Sequence, residues 1–335
     1  MALRVAINGF GRIGRLVLRA LSESDRKDID VVAINDLGEP KANAHLFKYD
    51  SIHGAFKGEV KVEGDTLNIG RGPIKALAIP DPNKLPWKDM GIDIAFECSG
   101  RFTKRDEAAA HLNAGAKRVL VSAPADGADL TVVYGVNHEK LTAEHLVISN
   151  GSCTTNCLAP VAYVLQQEIG IVHGYMTTIH SYTGDQKLVD TIHKDLRRAR
   201  AAALSMIPST TGAAKALGLV LPELKGKLDG TAIRVPTANV SLIDFKFEAK
   251  RDITVEEINN AMRKYSSEKL QGVLGIVEEE LVSCDFNHNK NSANFDLTQT
   301  QVVDKRMGRV LAWYDNEWGF SNRMLDTATA IGKLL

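Results

Sequence analysis

Two of the four cysteines in this 335-residue chain lie four positions apart, in the segment S-N-G-S-C-T-T-N-C-L-A-P at residues 149–160. A thiol can serve as a metal ligand, as half of a redox pair, as a nucleophile or as a small buried side chain. A metal site would require two more soft ligands, and the sequence offers no second close pair of Cys or His residues. A disulfide between Cys153 and Cys157 is unfavourable too, because side chains stacked along one helix do not face each other.

The position of each cysteine relative to a helix start separates their roles. If L-A-P-V-A-Y-V-L packs as a helix, Ser152 is its N-cap and Cys153 lies in the first turn. The positive end of the helix dipole favours a thiolate, so we expect the pKa of Cys153 to be lowered. We expect Cys157, one turn further on, to be buried as a small apolar residue. Cys153 is a candidate nucleophile, with burial as an inert thiol as the alternative.

A second segment with the potential for chemistry is the glycine turn N-G-F-G-R-I-G-R at residues 8–15. Gly9, Gly11 and Gly14 fit the spacing that permits a tight turn, a close approach of backbone to a pyrophosphate, and close helix packing. Asp36 follows 22 residues after Gly14, where a carboxylate can accept hydrogen bonds from an adenosine ribose. Because this carboxylate would repel a 2′-phosphate, the pattern predicts binding of NAD in preference to NADP.

The elements around the glycine turn indicate how it is positioned. Apolar runs at 3–7, 30–36, 92–98 and 118–122 are typical of strands, and helical patterns follow the glycine turn and occupy 106–117. This alternation predicts an α/β fold with a Rossmann-type, doubly wound parallel sheet.

The pattern changes after residue 150. Longer and more alternating strand candidates at 175–180, 231–236, 239–249 and 308–315 predict an α+β region with a mixed or antiparallel sheet, and 321–335 reads as an amphipathic helix. We therefore expect one domain at 1–150, with a C-terminal helix at 318–335 packing back on it, and a second domain at 151–317.

Composition narrows the class of protein. Lys plus Arg equals Asp plus Glu, at 41 each, so no overall charge favours nucleic acid or an anionic membrane as a partner. No apolar run approaches the length of a membrane span, and no export signal is evident at the N-terminus. The few, scattered cysteines fit a reducing compartment, so we expect a cytoplasmic protein.

Taken together, several motifs resemble those of one family. S-C-T-T-N-C-L-A-P and the glycine turn combine with H-S-Y-T at 180–183, T-G-A-A-K-A at 211–216, R-V-P-T at 234–237 and Y-D-N-E-W-G at 314–319. In order and spacing the chain resembles the phosphorylating glyceraldehyde-3-phosphate dehydrogenases, of the bacterial, NAD-dependent type.

The resemblance implies a reaction and its two principal residues. Cys153 matches the family's nucleophile and His180 its base, which together oxidise D-glyceraldehyde 3-phosphate to 1,3-bisphosphoglycerate with NAD and inorganic phosphate through a thiohemiacetal and a thioester. The resemblance makes the domain at 1–150 the NAD-binding domain and that at 151–317 the catalytic one, in a homotetramer. No metal is implied.

The resemblance also assigns binding residues. Cofactor contacts are implied for Gly9, Gly11, Arg12, Ile13, Gly14, Asp36, Ser122 and Asn316. Contacts to the substrate phosphate and the attacking phosphate are implied for Ser152, Thr154, Thr183, Arg198, Thr211, Gly212 and Arg234. Asp185 stands where some members carry threonine; a carboxylate repels phosphate, so we expect it to contact the cofactor ribose.

Other functions share parts of this pattern. Erythrose-4-phosphate dehydrogenases share S-C-T-T-N-C but generally depart at H-S-Y-T and T-G-A-A, which are intact here. A non-catalytic NAD-binding regulator would have no use for a thiol, an imidazole and two anion sites together. Semialdehyde dehydrogenases share the architecture and a cysteine, but not these motifs.

Overall fold

The structure is a computed structural model that describes residues 2–335. The chain forms two units, one comprising the residues up to Ser152 together with Ser321–Leu335, the other Cys153–Phe320. The helices are α1 Arg12–Ser22, α2 Pro40–Lys48, α3 Arg105–Ala108, α4 Ala110–Asn113, α5 Cys153–Glu168, α6 Ala213–Val220, α7 Val255–Ser267 and α8 Trp318–Gly332.

Seventeen strands accompany these helices within the described residues. Those of the first unit are β1 Leu3–Asn8, β2 Ile29–Asn35, β3 Lys61–Glu63, β4 Thr66–Asn68, β5 Pro73–Leu77, β6 Ile94–Glu97, β7 Arg118–Val121, β8 Leu130–Thr131 and β9 Val147–Ser149. Those of the second unit are β10 Ile171–Ser181, β11 Ile207–Thr210, β12 Leu228–Val235, β13 Ser241–Ala249, β14 Leu274–Val277, β15 Ala293–Asp296, β16 Gln301–Val303 and β17 Met307–Tyr314.

The first unit is built on a nine-stranded sheet in the order β3-β4-β5-β2-β1-β6-β7-β9-β8. Strands β5, β2, β1, β6, β7 and β9 pair in parallel, which confirms the doubly wound sheet predicted from the sequence. Successive residues of β1 and β6 are buried on both faces, as expected of parallel strands covered on both sides. Because β2 and β6 flank β1 on opposite sides, the chain reverses direction across the sheet at β1, where such folds open a crevice.

The second unit contains an eight-stranded mixed sheet with the path β11-β12-β10-β13-β17-β15-β14, and β16 pairs with β17. Strand β10 is parallel to β12 and antiparallel to β13, while β13 and β17 are antiparallel, so the predicted mixed sheet is confirmed. Alternate residues of β13 are buried, which leaves its other face more accessible.

One sequence-based element differs from the structure. The single helix predicted at 106–117 is two short helices, α3 and α4, that meet at Ala109. The second ends before Gly115, whose φ of +105° suits glycine and does not continue a helix. Within residues 2–335, no helix has the length and apolar character needed to cross a membrane.

Candidate active site

A pocket in the first unit opens at the carboxyl ends of β1, β2 and β6, at the crevice beside β1. Its lining includes Gly9, Gly11 and Asp36, three of the residues expected to contact the cofactor. The other lining residues are Asn8, Asn35, Leu37, Ile79, Pro80, Cys98, Ser99, Arg101 and Phe102. Open α/β sheets bind nucleotides at this position.

Contacts around the glycine turn explain why glycine is required twice. Gly9 has a φ of +90°, and a Cβ added to it would lie 2.4 Å from the backbone nitrogen of Ser99. A Cβ on Gly14 would lie 2.1 Å from the carbonyl oxygen of Gly9, so α1 packs directly against the turn. The N-terminus of α1, which starts at Arg12, thus has the arrangement that binds a pyrophosphate in dinucleotide sites.

The remaining cofactor candidates of this unit occupy different environments. The Asp36 carboxylate accepts hydrogen bonds from the backbone nitrogens of Phe10, at 2.8 Å, and Gly38, at 2.9 Å, which fix it at the pocket wall. Arg12 forms an ion pair with Asp50, at 2.5 Å, so its guanidinium holds α1 to the loop that follows α2.

Ile13 and Ser122 are less directly placed. Ile13 is half-buried in the first turn of α1. Ser122 follows β7, and its backbone nitrogen donates to the Glu97 carbonyl at 3.0 Å, which leaves its carbonyl oxygen as the group able to meet a cofactor. Contacts of both residues with NAD stay predictions.

The second unit brings together the two candidate catalytic side chains. Cys153 is the first residue of α5, and its Sγ lies 3.5 Å from Nε2 of His180, near the end of β10. Nδ1 of His180 lies 2.7 Å from the carbonyl oxygen of Ser181, which can only accept, and 3.1 Å from Nη1 of Arg234, which can only donate. We assign the ring proton to Nδ1 because the carbonyl is the closer partner. Nε2 therefore carries the lone pair that can accept a proton from the thiol.

Burial sets the charge state of this pair. Burial lowers the pKa of His180 to about 3, and the positive charge of Arg234 acts in the same direction, so the imidazole is neutral at pH 7. Burial also raises the pKa of Cys153, although Arg234 opposes the rise. The expectation of a lowered thiol pKa is therefore wrong for the isolated thiol, because desolvation outweighs the helix terminus. Cys157, in contrast, is completely buried, as predicted.

Tyr314 connects the nucleophile helix to the strand of the base. Its hydroxyl bonds to the Oγ1 atoms of Thr154, at 2.8 Å, and Thr178, at 2.9 Å. Its ring meets the imidazole of His180 edge-on, with centroids 5.9 Å apart. Sequence reasoning missed this residue, although Y-D-N-E-W-G contains it and Thr178 lies two residues before His180, on the same face of β10.

Two candidate anion-binding residues adjoin the base. Nη1 of Arg234 lies 3.1 Å from Nδ1 of His180, 3.1 Å from the Ser181 carbonyl oxygen and 3.3 Å from Oγ1 of Thr183. Nε of Arg234 is buried and has no hydrogen-bond partner among the described residues, so this guanidinium retains a donor for an anion. The structure thus brings Arg234 and Thr183 together beside His180.

Arg198 is held by partners of its own. Its Nη1 donates to Asp185 Oδ2 at 2.5 Å, and its Nε donates to Ser209 Oγ at 2.8 Å. The Arg198 guanidinium lowers the pKa of the Asp185 carboxyl, which burial alone would raise. Asp185 is the counter-ion of Arg198, because the loop folds the two residues together. The expected contact of Asp185 with the cofactor ribose stays a prediction.

The other binding candidates of this region are placed as follows. Ser152 is half-buried directly before α5, whereas Thr154 is buried and its hydroxyl is engaged by Tyr314. Thr211 and Gly212 precede α6, and Oγ1 of Thr211 accepts a hydrogen bond from the nitrogen of Ala213 at 3.2 Å. No hydrogen bond links them to Arg234 in residues 2–335, so their role at the same anion stays a prediction.

Asn316 is oriented by two hydroxyl groups. Its Oδ1 accepts from the Oγ atoms of Ser181, at 2.8 Å, and Ser241, at 2.9 Å. The amide nitrogen is consequently the group left to donate to a ligand carbonyl, such as a carboxamide. Across the described chain, no group of three His, Cys, Asp or Glu side chains could hold a metal ion.

Comparison with known proteins identifies the family. Residues 3–105 match the family model of the glyceraldehyde 3-phosphate dehydrogenase NAD binding domain, and residues 152–316 match that of its C-terminal domain. The chain is 69% identical over 334 residues to glyceraldehyde-3-phosphate dehydrogenase of Xanthobacter flavus, covering all of both chains. It is 64% identical to that of Cereibacter sphaeroides, again over both full chains, and 54% identical to that of Geobacillus stearothermophilus, over 99% of this chain and 98% of the relative. The chain therefore belongs to the NAD-dependent glyceraldehyde-3-phosphate dehydrogenase family.

Proposed function

We propose that this chain oxidises D-glyceraldehyde 3-phosphate to 1,3-bisphosphoglycerate, with NAD and inorganic phosphate as co-substrates. The observation that carries the proposal is the pairing of Cys153, at a helix start, with the neutral base His180 at 3.5 Å, beside the guanidinium of Arg234. A thiol beside a base fits the attack of sulfur on an aldehyde, and the adjacent cation fits an anion held next to the reacting carbon.

Proton transfer from Cys153 to Nε2 of His180 begins the reaction. Each group alone resists charge because it is buried, but the transfer creates both charges together, and the N-terminus of α5 stabilises the thiolate. The Sγ atom then bonds to the aldehyde carbon, and the imidazolium returns its proton to the new oxyanion. The result is a thiohemiacetal on Cys153.

Oxidation of this intermediate requires the base a second time. His180 takes the hydroxyl proton at Nε2 while the C–O double bond forms, which leaves a thioester on Cys153. An oxygen of inorganic phosphate then attacks the thioester carbon, the C–S bond breaks, and Cys153 leaves as the thiolate. Arg234 and Thr183, which adjoin the base, are positioned to hold an anion throughout these steps.

The first unit fits NAD as the family's cofactor. The tight packing of Gly9 and Gly14 brings backbone to the position of a pyrophosphate, and the fixed carboxylate of Asp36 suits a ribose diol. NAD supplies, when bound, the acceptor for the hydride that the thiohemiacetal carbon loses. Asn316, with its amide nitrogen free to donate, would hold the carboxamide.

The two anion sites divide between the arginines. Arg234, with Thr183, Ser152 and Thr154 near the nucleophile, would serve the attacking phosphate together with Thr211 and Gly212. Arg198 would serve the substrate phosphate after exchanging its contact with Asp185 for the ligand. A dianion can displace a single carboxylate because it offers more charge and more acceptor atoms.

We further propose a homotetramer in the cytoplasm. Apolar side chains of the loop between β10 and β11 are strongly exposed, with Ile192 at 96%, which a folded monomer in water does not favour. Tyr175 and Met307, on β10 and β17, add exposed apolar surface on the sheet of the same unit. All four cysteines, each within the described residues, are free thiols, which suits a reducing compartment. Sedimentation should give a mass four times that of the chain, and a monomer would contradict this proposal.

The assay that tests the function follows NADH formation from D-glyceraldehyde 3-phosphate, with and without inorganic phosphate. We expect activity in the wild type only when phosphate is present. We expect no activity in Cys153→Ser, because the serine hydroxyl is much less acidic than a thiol and does not ionise at neutral pH. Activity in the serine variant would refute the thioester mechanism. Phosphate-independent activity, or a preference for erythrose 4-phosphate, would favour the alternative dehydrogenase.

A further inference from the structure

A buried carboxylate lies beneath the pocket of the first unit. Glu97, the last residue of β6, is only 1% exposed, yet it accepts four hydrogen bonds. Its Oε2 accepts from Nδ2 of Asn8 at 2.6 Å and from Nε2 of His111 at 2.9 Å. Its Oε1 accepts from the backbone nitrogen of Ser99 at 2.8 Å and from the Ser99 hydroxyl. Four donors at one buried carboxylate offset its loss of water.

His111 is held in a single tautomer by a tryptophan. The indole nitrogen of Trp87 can only donate, and it lies 3.0 Å from Nδ1 of His111. Nδ1 must therefore accept, so the proton resides on Nε2 and is directed at Glu97. Both rings are completely buried, which makes the sequence Trp87–His111–Glu97 a fixed chain of donors and acceptors.

The network continues along the strand ends that form the pocket. Asn8, after donating to Glu97, accepts at Oδ1 from Nδ2 of Asn35 at 2.7 Å. Asn35 in turn bonds to both the nitrogen and the carbonyl oxygen of Ile79, at 2.8 and 2.9 Å. The ends of β1, β2 and β6 are thus tied together, and Asn8, Asn35, Ile79 and Ser99 all line the pocket.

At Ser99 the network contacts the glycine turn at residues 8–15, where the pyrophosphate is expected to bind. Ser99 packs so closely on Gly9 that no Cβ fits between them. The Ser99 hydroxyl also accepts from the nitrogen of Arg101, at 3.2 Å, so Glu97 fixes the whole turn after β6. A displacement of this turn would move the backbone of Gly9, where the pyrophosphate is expected.

We propose that Glu97 and His111 are positioning residues for the adenosine and pyrophosphate half of the cofactor site. Their network sets the relative positions of the strand ends and of the Ser99 turn, while neither residue needs to touch the cofactor. The inference rests on the proposed NAD binding and goes beyond it by assigning two residues that the motifs do not mark.

The test uses Glu97→Gln, which keeps the size and shape of the side chain. One of the two carboxylate oxygens becomes an NH2 group, and that group then faces the two donors that the oxygen had accepted from. One or two buried partners then lose their acceptor. We expect Kd for NAD, measured by calorimetry, to rise about 10-fold, and Kd for ADP-ribose to rise by the same factor. At saturating NAD we expect kcat to stay within about twofold of the wild type, because only the binding half is disturbed.

A second variant and a control separate positioning from general destabilisation. Trp87→Phe removes the donor that fixes the His111 tautomer, together with part of a buried ring, and it should weaken NAD binding about threefold if Glu97→Gln does not fold. Val147→Ala removes two methyl groups from the buried strand β9 of the same unit and should lower Tm without changing either Kd.

The outcomes are distinct. Unchanged Kd values in Glu97→Gln and Trp87→Phe would overturn the inference. It would also be overturned if Val147→Ala, at a similar Tm, lost as much affinity for NAD as these two variants. A rise in Kd for NAD without a rise in Kd for ADP-ribose would also overturn the inference, because the network lies beneath the part of the site that is expected to bind adenosine. Wild-type protein that binds no NAD would overturn the proposed function together with this inference.

Discussion

Removal of the Tyr314 hydroxyl tests whether a buried tyrosine sets the distance between nucleophile and base. Tyr314→Phe keeps the ring that meets His180 edge-on and deletes only the oxygen that bonds Thr154 and Thr178. The first threonine follows Cys153 on α5, and the second precedes His180 by two residues on β10. The hydroxyl therefore links the two elements that carry the reacting atoms.

The magnitude follows from the two lost contacts. Each buried hydrogen bond contributes about 1 kcal/mol, and the two threonine hydroxyls must find other partners, so we expect the free energy of unfolding to fall by about 2–3 kcal/mol. Small errors in the placement of reacting groups are costly, and we expect kcat to fall about 10-fold, which corresponds to about 1.4 kcal/mol in activation free energy.

The most direct measurement is the rate at which iodoacetamide alkylates Cys153 across a pH series, because this rate reports thiolate formed with the help of His180. Tyr163→Phe is the matched control. Tyr163 lies on the same helix α5, and its hydroxyl accepts from Lys269 at 3.0 Å, away from Cys153. Alkylation in the control should match the wild type.

One result would refute the reasoning about Tyr314. If Tyr314→Phe lowers Tm but alkylates at the wild-type rate and keeps kcat, the hydroxyl stabilises the fold without setting the catalytic distance. If Tyr163→Phe slows alkylation as much as Tyr314→Phe does, the effect belongs to α5 as a whole.

Three further predictions concern single side chains. Cys153→Ala should abolish turnover in a folded protein, whereas Cys157→Ala should keep most activity and lose about 1 kcal/mol of stability, as checked by NADH assay and thermal unfolding. Asp36→Ala should raise Kd for NAD more than Kd for NADP in calorimetry, and an equal rise would remove the ribose assignment. His180 has a folded pKa of about 3 against an ordinary 6.5, so the unfolded chain binds the extra proton between these values. Stability should therefore fall as pH falls through that window, by up to about 1.4 kcal/mol per pH unit, and His180→Asn should show a shallower decline in urea titrations.

Local patterns predicted much of the architecture. The apolar run of β1, the glycine spacing and the helix after it depend on neighbouring residues, so they could be recognised from the sequence alone. The same holds for Cys153, because a helix start is marked by the residues beside it. The break between α3 and α4 escaped prediction, since no glycine or proline marks Ala109.

The parts that could not be predicted depend on residues far apart in the chain. Thr178 and Tyr314 stand 136 positions apart, and no short motif records that they meet. The pKa of Cys153 was expected in the wrong direction, because the helix terminus is visible in the sequence whereas the extent of burial is not. The pairing of Asp185 with Arg198 likewise depends on how a long loop folds.

The contact between Gly14 and the carbonyl of Gly9 also limits how this protein can be stabilised. Replacing a helical glycine by alanine normally gains about 1 kcal/mol, and a search guided by helix propensity would select Gly14 in α1. Here the new methyl would lie 2.1 Å from a carbonyl oxygen of the main chain. A main-chain atom cannot move aside by changing rotamer, as a side chain can. Thermostabilised variants of this chain will have to gain stability at other positions and keep Gly14.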